Sequence, residues 1–138
     1  MGKNLLLVEP DYDFSLLAMT CSLKGYRLAW LLNKVFHCNF CKLDDLIIKN
    51  SRSGEDAFQV FSCYHTDFNC LLYLYGNKAK SDYLIPEQKA FDFYLKIESE
   101  DHALYIDNYL NKTKNITQVS AIYKLNIAEL KSKKNLLL

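Results

Sequence analysis

The chain has 138 residues, half of them hydrophobic and 24% charged, with 17 lysines and arginines against 16 aspartates and glutamates. That length suits one domain with a real core, and the net charge of +1 excludes a whole-molecule field able to hold nucleic acid or an anionic membrane. With only four glycines and two prolines there is no linker at which a boundary would fall, so residues 1–138 read as a single α+β domain.

At the start, the apolar run Leu5 to Val8 is stopped by Glu9-Pro10-Asp11, which is too short for a signal-peptide core or a membrane span. Met1-Gly2 opens like a myristoylation signal, but Leu6 stands where Ser or Thr is needed. The expectation is a cytoplasmic protein without membrane contact. In that setting the Asn-x-Thr triplets at Asn111 and Asn115 carry no sugar, and five irregularly spaced cysteines stay reduced.

Phe14 to Cys21 reads as a strand. Ser22 is placed to cap a helix over Leu23 to Phe36, in which Leu28, Leu31, Leu32, Val35 and Phe36 share one face. Strand character follows at Phe40 to Lys49, Ala57 to His65, Phe68 to Tyr75 and Phe91 to Glu98, separated by turn-forming clusters at Asn50-Ser51-Arg52-Ser53-Gly54 and His65-Thr66-Asp67. In the last run Phe91, Phe93, Leu95 and Ile97 alternate with Asp92, Tyr94, Lys96 and Glu98, the period of a strand with one dry and one wet face. A second helix opens at Ser99 and runs to about Asn111, Val119 to Leu125 returns as a strand, and Asn126 with Glu129 caps a last helical turn. The sum is a mostly antiparallel sheet of four to six strands with two helices packed on it.

The residues with chemistry in them form no coherent catalytic set. The three histidines are scattered, no phosphate or dinucleotide loop is present, and Asp44-Asp45 would point oppositely on a strand. No cofactor is implied. Cys38 and Cys41, with His37, Cys63, His65 and Cys70 further along, are zinc-ligand types, but a second tight knuckle is missing, so buried free thiols are the plainer reading and a zinc module is an alternative. Helix-strands-helix order invites comparison with double-stranded RNA-binding domains, yet the second helix opens on Glu100 and Asp101, the wrong sign for phosphate. Tyr64, Tyr73, Tyr75 and Tyr94 offer bases a stacking surface only if a basic groove accompanies them. The cluster Lys112, Lys114, Lys124, Lys131, Lys133 and Lys134 reads as a solvated basic end.

One helix stripe has interface character. Arg27, Trp30 and Asn33 lie three apart, and Trp and Arg dominate binding hot spots. The plainer alternative has Trp30 finishing the core edge, with Arg27 over it or paired to Asp44 or Asp45. Leu136, Leu137 and Leu138 are apolar where chains usually fray, so they dock on the protein's own sheet or on a partner.

The segment Ile85-Pro86-Glu87-Gln88-Lys89-Ala90-Phe91-Asp92-Phe93 resembles the signature of the IPExxxVDY family, small proteins of Bacteroidota. Tyr26-Arg27-Leu28-Ala29-Trp30-Leu31-Leu32-Asn33 is similar to that family's Tyr-Arg-Leu-x-Trp-x-Leu-Asn helix, and Lys131 to Leu138 to its ending. Phe91 and Phe93 replace the signature Val and Tyr, and the lost hydroxyl argues against a catalytic tyrosine at position 93. The resemblance implies no activity. Independently of it, Pro86 bars a ladder hydrogen bond, so Ile85-Pro86-Glu87 should enter a strand at an edge or bulge, while Glu87 and Asp92 hold backbone N–H groups or meet Arg27. Together these features point to a non-enzymatic interaction or adaptor protein whose partner is another protein, with an RNA-associated factor as the alternative.

Overall fold

The computed structural model describes residues 13–50 and 54–137; the motifs at Met1-Gly2 and Leu5 to Val8, residues 51–53 of the expected turn, and Leu138 lie outside them. Six strands form an antiparallel sheet: β1 (Phe14–Cys21), β2 (Cys41–Lys42), β5 (Val60–His65), β6 (Cys70–Gly76), β7 (Phe93–Glu98) and β8 (Val119–Leu125), in the order β2-β5-β6-β7-β1-β8. A separate hairpin joins β3 (Leu46–Asn50) to β4 (Gly54–Phe58). The helices are α1 (Gly25–Phe36) and α2 (His102–Lys114), and short 3-10 turns occupy Pro86–Gln88, Ile127–Glu129 and Lys133–Leu137. Among the described residues no helix is long and apolar enough to cross a membrane.

Both helices lie on one face of the sheet. Leu28, Leu32 and Phe36 of α1, with Ile106 and Tyr109 of α2, pack on Leu17 and Met19 of β1, Leu72 and Leu74 of β6, and Leu95 and Ile97 of β7. The opposite face has no helix, yet it is dry as well. Phe14, Leu16 and Ala18 of β1, Tyr75 of β6 and Tyr94 of β7 are covered there by Phe58, Leu84, Ile85, Leu130 and Leu136. The wet face expected for Phe93–Glu98 is therefore absent: Tyr94 and Lys96 are buried, and Phe91 and Phe93 pack into opposite clusters. Double burial also explains why β1 reads as an almost unbroken apolar run, since neither side of it meets water.

Several boundaries differ from the sequence expectation, each for a local reason. The run from Phe40 to Lys49 splits because Leu43 closes the ladder onto Val60, after which Asp44 and Asp45 form an exposed bend and β3 leaves for the hairpin. Gln59 is the corresponding crossing point between β4 and β5. Asn69, at φ 52°, completes a turn that delays β6 to Cys70. Helix α1 starts at Gly25, not after Ser22, and Lys24 precedes it without a side-chain cap. A Cβ on Gly25 would lie 2.5 Å from Gln59 Oε1 and 2.9 Å from the Phe61 ring, so a larger residue there would have to displace both side chains. Ser99 does accept the Asp101 N–H at 2.9 Å, but α2 begins at His102. Strand β8 and the Asn126 cap, which accepts the Ala128 N–H, lie where the pattern puts them.

The proline segment is neither an edge nor a bulge. Strand β7 is interior to the sheet, and Pro86 opens a 3-10 turn, where its missing N–H costs nothing. Leu136, within the last 3-10 turn, is fully buried. Truncation by Leu136→Ala should therefore lower stability by about 2–5 kcal/mol, read as a shift of the urea midpoint with an unchanged slope.

Candidate functional site

Three strand ends meet beside the start of α1. Cys21 closes β1, Gly76 closes β6 and Phe93 opens β7, and the chain turns from Cys21 into the helix across them. The result is a cleft of about 540 Å³ whose lining includes Lys24, Tyr26, Gln59, Lys78 and Asp92. Asp92 anchors it. Its Oδ2 accepts the Cys21 N–H at 2.8 Å, its Oδ1 pairs with Lys78 Nζ at 2.9 Å, and its own N–H donates to the Met19 carbonyl at 2.8 Å. Burial pushes the Cys21 thiol up, and the nearby Asp92 charge adds to that; the Asp92 hydrogen bond pushes Lys78 up in turn.

Elsewhere in the Ile85 to Phe93 segment, Ile85 and Phe93 face inward and Glu87 clasps distant chain, while Lys89 and Ala90 are exposed. Ile85 is buried, and Phe93 packs under the helices. Glu87 accepts the Ser132 N–H at 2.7 Å and the Ser132 hydroxyl at 2.8 Å, fixing the C-terminal segment. Burial raises the Glu87 carboxyl pKa, but those bonds outweigh it and leave the group below its ordinary value. Asn77, which the sequence reading missed, organises the whole loop: its Nδ2 donates to the carbonyls of Gln88 and Phe91 at 3.0 and 2.8 Å, and its Oδ1 accepts the Ile85 N–H at 2.9 Å. Its position just after Gly76 at a strand end was the available signal.

The stripe on α1 divides. Trp30 is 50% exposed and Tyr26, one turn earlier, 62%. Lys34 Nζ lies 3.7 Å from the Trp30 ring centre and the Arg27 guanidinium 6.0 Å, both within cation–π reach. Asn33 turns inward, where its Oδ1 accepts the Phe40 N–H at 2.6 Å and steers the chain into β2. The helix stops there because His37 adopts a left-handed conformation, φ 57°, and Cys38 N–H bonds back to the Asn33 carbonyl. Asp45 is taken by Lys42 at 2.7 Å. Leu136 is buried, whereas Leu137 is partly exposed.

The thiols and imidazoles lie under or beside the helices. Cys38 donates to Asn33 Oδ1 at 3.7 Å and lies beside the Cys63 thiol; the interaction between the two sulfurs raises Cys38 and lowers Cys63. Cys41 is exposed and bonds only locally, to the Asn39 carbonyl. Among the described residues no three Cys, His, Asp or Glu side chains gather as a metal site, so the zinc alternative gains no third ligand. His65 is boxed between Phe36, Phe68 and Tyr109, with Nδ1 2.7 Å from the Tyr109 hydroxyl and Nε2 3.6 Å from Asp67. Of the four tyrosines considered as a stacking surface, Tyr75 and Tyr94 are buried, Tyr73 is partly buried, and the exposed Tyr64 bonds to Asn69. The structure also joins Asp13, His102 and Ser15 in one hydrogen-bonded row, which sequence separation had concealed.

No family model, curated protein or solved structure matches this chain.

Two consequences are measurable. Asp92→Ala orphans the Cys21 N–H and should cost about 1–3 kcal/mol, whereas Lys78→Ala, at an exposed ammonium, should stay within about 0.5 kcal/mol in the same urea titration. Burial pushes the His65 imidazole below its ordinary 6.5, helped by Lys112 and opposed by Asp67 and the Phe36 carbonyl. Between that lowered value and 6.5 the unfolded chain takes a proton that the folded chain refuses. Stability should therefore be full above about pH 6.5 and fall as the pH drops below it, with a shallower fall in His65→Phe across urea titrations from pH 7.5 to 5.

Proposed function

We propose that this chain is a small cytoplasmic interaction module of the IPExxxVDY type, which binds an acidic segment of a partner protein along the exposed side of α1. The observation that carries the reading is the half-exposed Trp30 set among cations. Helix α1 and its preceding residue contribute Lys24, Arg27 and Lys34 and contain no aspartate or glutamate. Exposed Trp beside Arg is the composition of a binding hot spot. Tyr26 belongs both to this stripe and to the wall of the Asp92 cleft, so one occupant would follow both. Lys78 extends the positive sign into the cleft, where Asp92 is already held by it and by Cys21.

The resemblance to the IPExxxVDY signature fits a division of labour. Its residues hold the cleft together, while the Tyr-Arg-Leu-x-Trp stretch presents the contact surface. Affinity capture from the native cytoplasm with sequencing of bound proteins tests the reading. The expected partner binds wild type, loses about 30-fold or more in affinity with Trp30→Ala, loses binding with Arg27→Glu, weakens with salt, and contacts the helix through an acidic segment. Both variants should melt like wild type. A partner retained by both variants, or one that binds through a basic or uncharged segment, refutes it.

A further inference from the structure

Ser15 lies on β1 and His102 opens α2, so folding brings together residues far apart in the chain. The Ser15 Oγ is 2.6 Å from His102 Nδ1, and His102 Nε2 is 3.1 Å from Asp13 Oδ1. The proton positions follow from the chemistry of the row. An ionised Asp13 only accepts, so Nε2 carries the hydrogen; in neutral imidazole Nδ1 is then the acceptor, and Ser15 donates to it. This is the order of a nucleophile, its base and the group that holds the base in one tautomer, with the two ring nitrogens exchanged relative to the serine proteases.

Ser15 also adjoins a cavity. Pairing of β1 with β8 begins at Leu16 opposite Leu125, so Ser15 lies just past the end of β8. There it lines a cavity of about 350 Å³ whose walls include Phe14, Leu16, Ile106, Leu125 and Ile127. The charged residues in that lining are Lys124 and Lys133, and Lys124 is held by Asp107 of α2 at 2.5 Å.

From this we infer that Ser15 is a nucleophile toward carboxylic esters with a short apolar acyl group. The Ser15 Oγ bonds to the carbonyl carbon as its proton passes to His102 Nδ1. The adduct then breaks its bond to the alkoxy group, which leaves with that proton. Water next attacks the acyl-serine, giving one proton to Nδ1; the acid departs and Nδ1 returns the proton to Oγ. One ester and one water become one acid and one alcohol, with no change of oxidation state. Ser15 and His102 are catalytic residues, and Asp13 is a positioning residue acting through His102. This site is separate from the α1 surface and stands without it.

The same hydrogen bonds would also serve as a simple tie between β1 and α2, and the experiment separates the two roles. The full chain is treated with a fluorophosphonate, mapped by mass spectrometry, and assayed with p-nitrophenyl butyrate. The inference expects one phosphonyl group on Ser15 and turnover that falls by about 10³-fold or more in Ser15→Ala and His102→Gln. Asp13→Asn should lower kcat with little change in KM, and Ser120→Ala should alter neither label nor rate. Wild type left unlabelled and without turnover, or labelled at another residue, overturns the inference, and so does turnover that survives in a folded Ser15→Ala variant. The label on wild type decides the question even if a variant fails to fold.

Discussion

The ammonium group of Lys96 sits on interior strand β7, on the face that has no helix, with only 4% of its side chain exposed. Removing an ion from water costs several kcal/mol, so such a group persists only where the chain surrounds it with partners. Here Glu98 pairs with it at 2.8 Å, and it donates to the Leu136 carbonyl at 2.5 Å. The rings of Phe14, Tyr73 and Tyr75 stand 4.7–5.6 Å from it. Everything covering this face is short and irregular: a hairpin, the loop around Ile85 and the turns after β8. Pieces of that kind bury too little apolar surface to hold themselves in place. The face is assembled by polar anchors, with Lys96 taking the Leu136 carbonyl, Glu87 taking Ser132, and Asn135 donating to the Leu84 carbonyl.

That arrangement also marks where sequence pattern stops being informative. The helix faces, strand β8 and the α+β class follow from periodicities of a few residues, and those were legible. Periodicity was misleading at β7, because charged and apolar residues alternate in both a half-wet strand and one whose charge is buried in an aromatic cage. Nothing local distinguishes the Lys of one from the Lys of the other. Pro86 was misread for a related reason: it forbids a ladder bond without saying whether the chain is at an edge or in a turn between strands.

The candidate sites were unequally visible. Trp30 and Arg27 lie within one helix, so spacing alone gathered them, though spacing did not show that Asn33 is drawn inward by Phe40. The row of Asp13, His102 and Ser15 depends on α2 docking at one end of β1, and no feature of one sequence encodes that meeting. Residues of the Ile85 to Phe93 segment, with Asn77 ahead of it, fasten the fold. Asp92 fixes the end of β1, Glu87 the C-terminal segment, and Asn77 the loop that carries both.

Strand β1 ends at Cys21, but its two neighbours in the sheet begin at Phe93 and Val119. During synthesis the hairpins β3–β4 and β5–β6 have their partners at hand as they emerge, whereas β1 must wait for most of the chain. Closing so long a loop is entropically expensive before any contact rewards it, and sheets built this way fold slowly. Throughout that interval the stretch Phe14-Ser15-Leu16-Leu17-Ala18-Met19 is an unpaired apolar strand, the kind of segment that templates aggregation. The early helix α1 lies directly after it and carries Leu28, Leu32 and Phe36, which join Leu17 and Met19 in one buried cluster. Placed there, α1 is the first element to emerge after β1 that belongs to the same buried cluster as Leu17 and Met19, ahead of both strand partners.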